Sequence, residues 1–291
     1  MEPDVHGPVV AFQGEPGAFA EDAVLAFFAA PDTLAVPTWR AVFQAVADGA
    51  ADAGAVPIEN SLAGTIRENH DLLLEFHDAA VRIVGETSVP VRLALMAPPG
   101  ATPATIDRVY SHPQALAQAD AFLRTRSWQI LTTYNTAGAA KMVAERGDRT
   151  EAAIASPRVA ALYGLDVIAD AIESGAGNRT RFAILARHPF APGWARAEQT
   201  GGSPKTTLVF AVRNVPGSLH RSLGAFAARG LNLSRLESRP WTDRGARWEY
   251  VFWVDLDADP AAPAAAEALD ALRSETELVK VLGTYPRALE D

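Results

Sequence analysis

Four short polar segments each close an apolar run: Glu59-Asn60-Ser61, Ser111-His112-Pro113-Gln114, Asn135-Thr136-Ala137-Gly138 and Thr180-Arg181-Phe182. In an open α/β sheet such strand ends form the rim where ligands bind. Their residue types suit the holding of a carboxylate. Arg181 could pair with one directly or through an acidic neighbour, and a helix starting near Asn135 would aim free N–H groups and the Thr136 hydroxyl at it. Phe182 would supply an apolar wall. Gly14-Glu15-Pro16-Gly17 opens another helix whose first N–H groups could hold an anion. Each segment also has a plain structural reading: Asn60, Ser61, Ser111 or Asn135 as helix caps, Glu59 as a surface acid, His112 packed on the sheet, Thr180 on an exposed strand edge.

Several other chemistries lack their residues. Ser111 and His112 are neighbours in an extended chain, so their side chains point to opposite sides and cannot act as nucleophile and base to one another. No nucleophile elbow, P-loop or dinucleotide fingerprint occurs. With no cysteine, disulfides, thiolate catalysis and cysteine-held zinc are excluded. The six histidines are scattered, and His70 and His77 are expected on the surface of one helix.

The elements that must position these segments alternate. A strand over 9–12 leads to an alanine-rich helix over 18–29; Thr38 caps a helix through 48; a buried strand over 53–58 ends at Glu59. Residues 81–96 read as extended with a kink at Pro90, where the chain passes between lobes. A second series follows: strand 108–110, helix 114–124, strand 129–134, helix 137–145, strand 152–155, a helix capped by Ser156-Pro157 and ended by Gly164, and strand 165–169. Residues 175–178 return the chain and 181–186 rejoin the first lobe. Residues 188–204, with three prolines and three glycines, form a linker. Beyond it, alternation at Leu208, Phe210 and Val212, a helix face at Leu219, Leu223 and Phe226, strands over 233–239 and 248–256, a helix face at Ala265, Leu269 and Leu272, and a strand over 278–285 spell βαββαβ, the ferredoxin-like order.

A length of 291 residues at 48% hydrophobic content accommodates this, and the charge of −9 argues against nucleic acid or anionic lipid as partner. The N-terminal residues lack the pattern of a secretory signal, and the apolar runs fall short of the ~20 residues of a membrane helix, so a cytoplasmic protein is expected.

Taken in order, the four segments resemble those of prephenate dehydratases, and Pro216-Gly217-Ser218-Leu219 with Glu237-Ser238-Arg239-Pro240 resembles the ACT regulatory domain of bacterial members. The resemblance covers nearly the whole chain. It implies an α/β fold: a two-lobed, periplasmic-binding-protein-like catalytic domain over 7–187, with lobes of about 7–85 plus 178–187 and 90–170, and a ferredoxin-like ACT domain over 205–286. It implies decarboxylating dehydration of prephenate to phenylpyruvate without cofactor or metal. Thr180 would be the donor to the departing hydroxyl. Asn60, Ser61, Ser111, Gln114 and Thr136 would bind substrate with Arg181 and Phe182, and Glu59 would organise the pocket. L-Phenylalanine would be the allosteric effector, bound by Asn214, Pro216, Gly217, Ser218 and Leu219, with Glu237, Ser238 and Arg239 near it across a homodimer or homotetramer interface. The chain departs from the family at Ala20, where a hydroxyl residue is usual, and at Ser218, usually alanine. Arogenate dehydratase and a non-catalytic amino-acid or carboxylate sensor are the competing readings.

Overall fold

Short apolar runs alternating with alanine-rich helices build three sheets in the computed structural model, which describes residues 7–175, 177–241 and 250–288. The first lobe contains β1 (Val9–Gln13), α1 (Phe19–Phe27), β2 (Asp32–Val36), α2 (Trp39–Asp48), β3 (Ala53–Asn60), β4 (Gly64–Thr65), α3 (Arg67–Glu75) and β5 (Arg82–Pro90). The second contains β6 (Ala94–Ala97), β7 (Arg108–Ser111), α4 (Pro113–Gln118), α5 (Asp120–Leu123), β8 (Gln129–Thr132), α6 (Thr136–Arg146), β9 (Glu151–Ala155), α7 (Arg158–Tyr163) and β10 (Asp166–Ala169). β11 (Arg179–Ala186) returns to the first lobe. The C-terminal unit is β12 (Pro204–Ala211), α8 (Ser218–Ala227), β13 (Leu233–Pro240), β14 (Tyr250–Leu256), α9 (Pro263–Glu275) and β15 (Leu278–Pro286).

The first sheet runs β2-β1-β3-β11-β5, with β4 on β3. β1 is parallel to β2 and β3, whereas β11 enters antiparallel between β3 and β5. The second sheet runs β10-β6-β9-β7-β8 and the third β13-β14-β12-β15. The chain crosses between lobes after Pro90 and again before Arg179, and the crossings are bonded to each other, Val91 N donating to Asn178 O at 2.8 Å.

Most expected elements form, with local differences. The helix foreseen over 114–124 is two short ones meeting at Ala119, and β2, a partly exposed edge strand, was not anticipated. Thr38 caps α2 by accepting from Ala41 N at 3.1 Å. The strand expected from 248 is β14; residues 248 and 249 lie outside the described residues. No helix among the described residues is long and apolar enough to cross a membrane.

The cores join the three units. One cluster runs from Phe12, Val24 and Ala55 of the first lobe to Met96, Ala137, Ala139 and Val159 of the second. Polar ties reinforce it: Lys141 Nζ lies 2.9 Å from Glu15 and Arg158 Nη2 2.7 Å from Glu21. Another cluster joins Ile83 and Leu185 to Val209, Trp253 and Leu282 of the C-terminal unit. A Cβ on Gly283 would stand 2.0 Å from Ile83 O, so glycine lets β15 lie directly on β5. Residues 188–204 are docked rather than free: Phe190 packs edge-on against Phe28 at 5.2 Å, and Ala29 N donates to Trp194 O at 2.9 Å.

His70 departs from the expected surface position. It is 1% exposed, edge-on to Trp253 at 4.8 Å between ring centres, with Nδ1 3.2 Å from Ile66 O. Burial, then the nearby Arg235, hold its pKa down at about 4. Between the ordinary value of about 6.5 and that figure, the unfolded chain takes up a proton that the native state refuses. Its stabilising contribution is therefore complete above pH 6.5 and is lost as pH falls towards 4, by about 3 kcal/mol. His70→Phe keeps the ring and removes the titration. Denaturation midpoints followed from pH 7 to 4.5 should fall less steeply in this variant, and equal slopes would refute the assignment.

Candidate active site

The cleft between the lobes has a volume of about 420 Å³. Strand ends from both sheets meet there, and pairing decides which side chains face it. β3 and β11 align Asn60 with Thr180 and Glu59 with Arg181, but Phe182 with Pro57, leaving Ile58 as the extra residue of a bulge. The bulge lets Pro57 and Asn60 line the cleft together, opposite Thr180 and Phe182. Arg181 and Glu59 are consequently turned to the other face of the sheet.

Thr180 is 9% exposed. Asn60 Nδ2 donates to its Oγ1 at 3.0 Å, to Asn178 Oδ1 at 2.8 Å and to Arg179 O at 3.1 Å. The Asn60 amide orientation is fixed because its Oδ1 accepts from Leu62 N and Ala63 N at 3.1 and 2.9 Å. An amide nitrogen offers no lone pair, so Thr180 is the acceptor and its own hydrogen is left for a ligand.

Gln114 and Thr136 line the opposite wall. Thr136 is the first residue of α6, whose cap is Asn135, with Oδ1 accepting from Gly138 N at 3.1 Å. Gly14, at φ +119°, brings the end of β1 beside that cap; a Cβ there would stand 2.5 Å from Asn135 Nδ2. His112, not Ser111, caps α4: its Nδ1 accepts from Gln114 N at 3.2 Å, which places the ring proton on Nε2. Burial keeps this imidazole below its ordinary pKa and hence neutral.

Four residues expected at the substrate are placed elsewhere. Ser111 is fully buried and donates to Ile154 O at 2.6 Å. Ser61 Oγ accepts from Arg179 N at 3.0 Å and pins the start of β11. Arg181 reaches Glu59 at 2.6 Å and, across the boundary with the C-terminal unit, Asp255 at 3.1 Å. Glu59 is thus its partner, not a cleft wall. The anion site considered at Gly14–Gly17 is also occupied internally, since Gly17 N donates to Glu21 Oε2 at 2.7 Å. Conversely, Gln13, Thr38, Trp39, Glu68 and Tyr134 line the cleft without having been expected there. Gln13 ends β1, so the strand-end argument that found Asn60 could have found it, whereas Thr38 follows β2, a strand the pattern did not reveal.

A second pocket, of about 370 Å³, lies in the C-terminal unit where β12 gives way to α8. Asn214, Gly217, Ser218 and Leu219 line it, with Tyr250 and Phe252 of β14 opposite; Pro216 lies in the same turn but is not a lining residue. Gly217, at φ +80°, makes the turn into α8, and Ser218 Oγ is held by Arg213 O at 2.7 Å. Glu237 and Arg239 face away from this pocket, towards the first lobe. Glu237 accepts from Thr65 at 2.6 Å, and Arg239 donates to Asp71 at 2.6 Å; Ser238 is exposed.

Comparison with known proteins agrees with this architecture. Residues 10–190 match the family model for prephenate dehydratase and residues 206–274 that for the ACT domain. Arogenate dehydratase 5 of Arabidopsis thaliana is 41% identical over 95% of this chain and 67% of its own length. Arogenate dehydratase/prephenate dehydratase 1 of the same plant is 38% identical over 96% and 72%. Among solved structures, the prephenate dehydratase of Arthrobacter aurescens in complex with L-Phe superposes with a TM-score of 0.81 at 32% identity, covering 96% of this chain and 90% of that one. A quorum-quenching acylase named GqqA superposes at 0.83 with 37% identity, covering 96% and 97%. The chain belongs to the prephenate dehydratase family and carries a C-terminal ACT domain.

Proposed function

We propose that the cleft converts prephenate to phenylpyruvate, water and carbon dioxide. The ring carboxylate leaves as carbon dioxide, its bonding pair shifts through the ring, and the carbon–oxygen bond opposite breaks; one proton taken up completes the water. Aromatisation drives the reaction, so the protein needs chiefly a donor at the departing oxygen and a surface that disfavours the ring carboxylate. The observation that carries this reading is the Asn60–Thr180 hydrogen bond, which leaves the threonine hydrogen for that oxygen. Phe182 supplies apolar wall, and Gln114, Thr136 and the first N–H groups of α6 hold the pyruvyl carboxylate. Ala20 lines the cleft where the family hydroxyl is missing, so that position contributes surface only.

L-Phenylalanine is the effector in this reading, taken by the pocket of Asn214, Gly217, Ser218 and Leu219. The exposed Leu236 on β13, an edge strand of the third sheet, supports assembly into a homodimer or homotetramer there. Purified protein mixed with prephenate should form phenylpyruvate, and L-phenylalanine should suppress it. Absence of product from folded protein would overturn the reading.

One feature favours arogenate as a second substrate. Among the described residues, no lysine or arginine lines the cleft, and the charged side chain present is Glu68. Such a cleft is better matched to a substrate carrying an ammonium group than to a dianion. Glu68→Gln should lower the arogenate-to-prephenate ratio of kcat/KM by about two- to fivefold, the scale of an exposed ion pair. An unchanged ratio would deny Glu68 this role. The acylase reading suggested by GqqA has less support: among the described residues no serine or threonine hydroxyl hydrogen-bonds a histidine, and His112 Nδ1 is committed to its cap.

A further inference from the structure

The sheet face opposite the cleft carries a buried group of charges that belongs to both domains. Arg181, between Thr180 and Phe182, lies 3.1 Å from Asp255 of β14 and 3.5 Å from Glu86 of β5. Lys205 of β12 lies 2.5 Å from Glu86. Thr207 donates to Asp255 Oδ1 at 2.8 Å and stands opposite it in the β12–β14 ladder. The Asp255 and Glu86 side chains are 2% and 1% exposed. Such groups have few alternative arrangements, because each charge moved away from its partner is left in a low-dielectric interior.

β14 connects this group to the second pocket. Its alternate residues Tyr250 and Phe252 line that pocket, while Val251, Trp253 and Asp255 face the first lobe. A ligand that shifts β14 on one face therefore displaces the carboxylate holding Arg181 on the other, and Arg181 shares a backbone with the donor of the cleft. We infer that Asp255 is a positioning residue, the point through which occupancy of the C-terminal pocket is transmitted to Thr180.

This inference rests on the effector reading above, and the test separates the two. L-Phenylalanine binding is measured by calorimetry, and steady-state turnover of prephenate with and without saturating L-phenylalanine, for the parent and for Asp255→Asn. The expected result is that the variant binds L-phenylalanine within about threefold of the parent yet loses most of its inhibition, whereas the parent is inhibited within the about 5- to 150-fold range of allosteric coupling. By reciprocity the effect of a bound substrate analogue on L-phenylalanine affinity should vanish with it. A parent that neither binds nor responds to L-phenylalanine would refute the effector reading. A responsive parent with an equally responsive variant would refute the role of Asp255 alone. Should Asp255→Asn fail to fold, Thr207→Val keeps both charges, removes the hydroxyl that orients Asp255, and should weaken inhibition in the same direction; full inhibition there would count against the inference.

Discussion

Thr180→Val should fold like the parent and turn over prephenate about 10²–10⁴-fold more slowly, the usual loss when a positioned proton donor is removed. Valine matches threonine in shape but cannot donate to the leaving oxygen. The change costs Asn60 one acceptor, while Asn178 Oδ1 and Arg179 O remain to its amide hydrogens, so stability should drop by only about 1 kcal/mol. Thr180→Ser restores the hydroxyl and should recover most of the rate. The decisive quantity is kcat, since the contacts proposed for Gln114 and Thr136 are untouched. A Val variant within threefold of the parent would transfer the donor role to another group of the cleft, with Gln114 and the His112 Nε2–H the nearest alternatives in kind.

Arg181→Met should destabilise the protein by about 3–5 kcal/mol, the scale on which one partner of a buried ion pair is lost. Burial by itself would push the carboxyl of Asp255 up and the Arg181 guanidinium down. Their mutual attraction outweighs it only together with the surrounding groups, Arg235, Lys205 and the Thr207 hydroxyl at Asp255 and Glu86 and Glu59 among those at Arg181, so that Asp255 is held below and Arg181 above their ordinary ranges. Without the arginine, Asp255 keeps the Thr207 hydroxyl but no direct cation, and Glu86 keeps Lys205 and the Ala288 N–H. Denaturant unfolding measures the loss. The double change Arg181→Met with Asp255→Leu should be less damaging than Arg181→Met alone, because the stranded carboxylate goes with its partner. A double variant as unstable as the sum of the two singles would show that the pair is not coupled.

The distance between sequence and structure is greatest where a side chain's face depends on pairing. Most of the order of elements follows from local pattern, with β2 and the short β4 the exceptions, and so do the cap at Thr38 and the turn at Gly217. Asn60 and Thr180 could be placed at the rim as strand ends. What local pattern does not contain is that β11 runs antiparallel to β3 with a bulge at Ile58, which brings those two side chains into contact. Simple alternation along β11 does imply that Arg181 faces away from Thr180 and Phe182, and giving that rule more weight would have moved Arg181 out of the substrate group. Ser111 illustrates a different limit: a polar residue at a strand end is equally suited to a ligand or to a buried carbonyl, and here Ile154 O takes it. His70 is buried by Trp253, a residue that sequence spacing alone cannot bring near it.

The position of β11 ties the order of synthesis to competence. β3 and β5 do not pair with each other; β11 fills the place between them, yet the whole second lobe precedes it along the chain. A nascent chain emerged only to Asp170 therefore holds two strands with open edges and no Thr180. The β3–β11 contacts that close the first sheet span more than a hundred residues of chain, as Thr180 with Asn60 shows, which makes their formation late and slow. One strand insertion completes the scaffold and delivers Thr180, the proposed donor, together, so a protein arrested before that step is exposed to strand-edge aggregation and, on that proposal, inert.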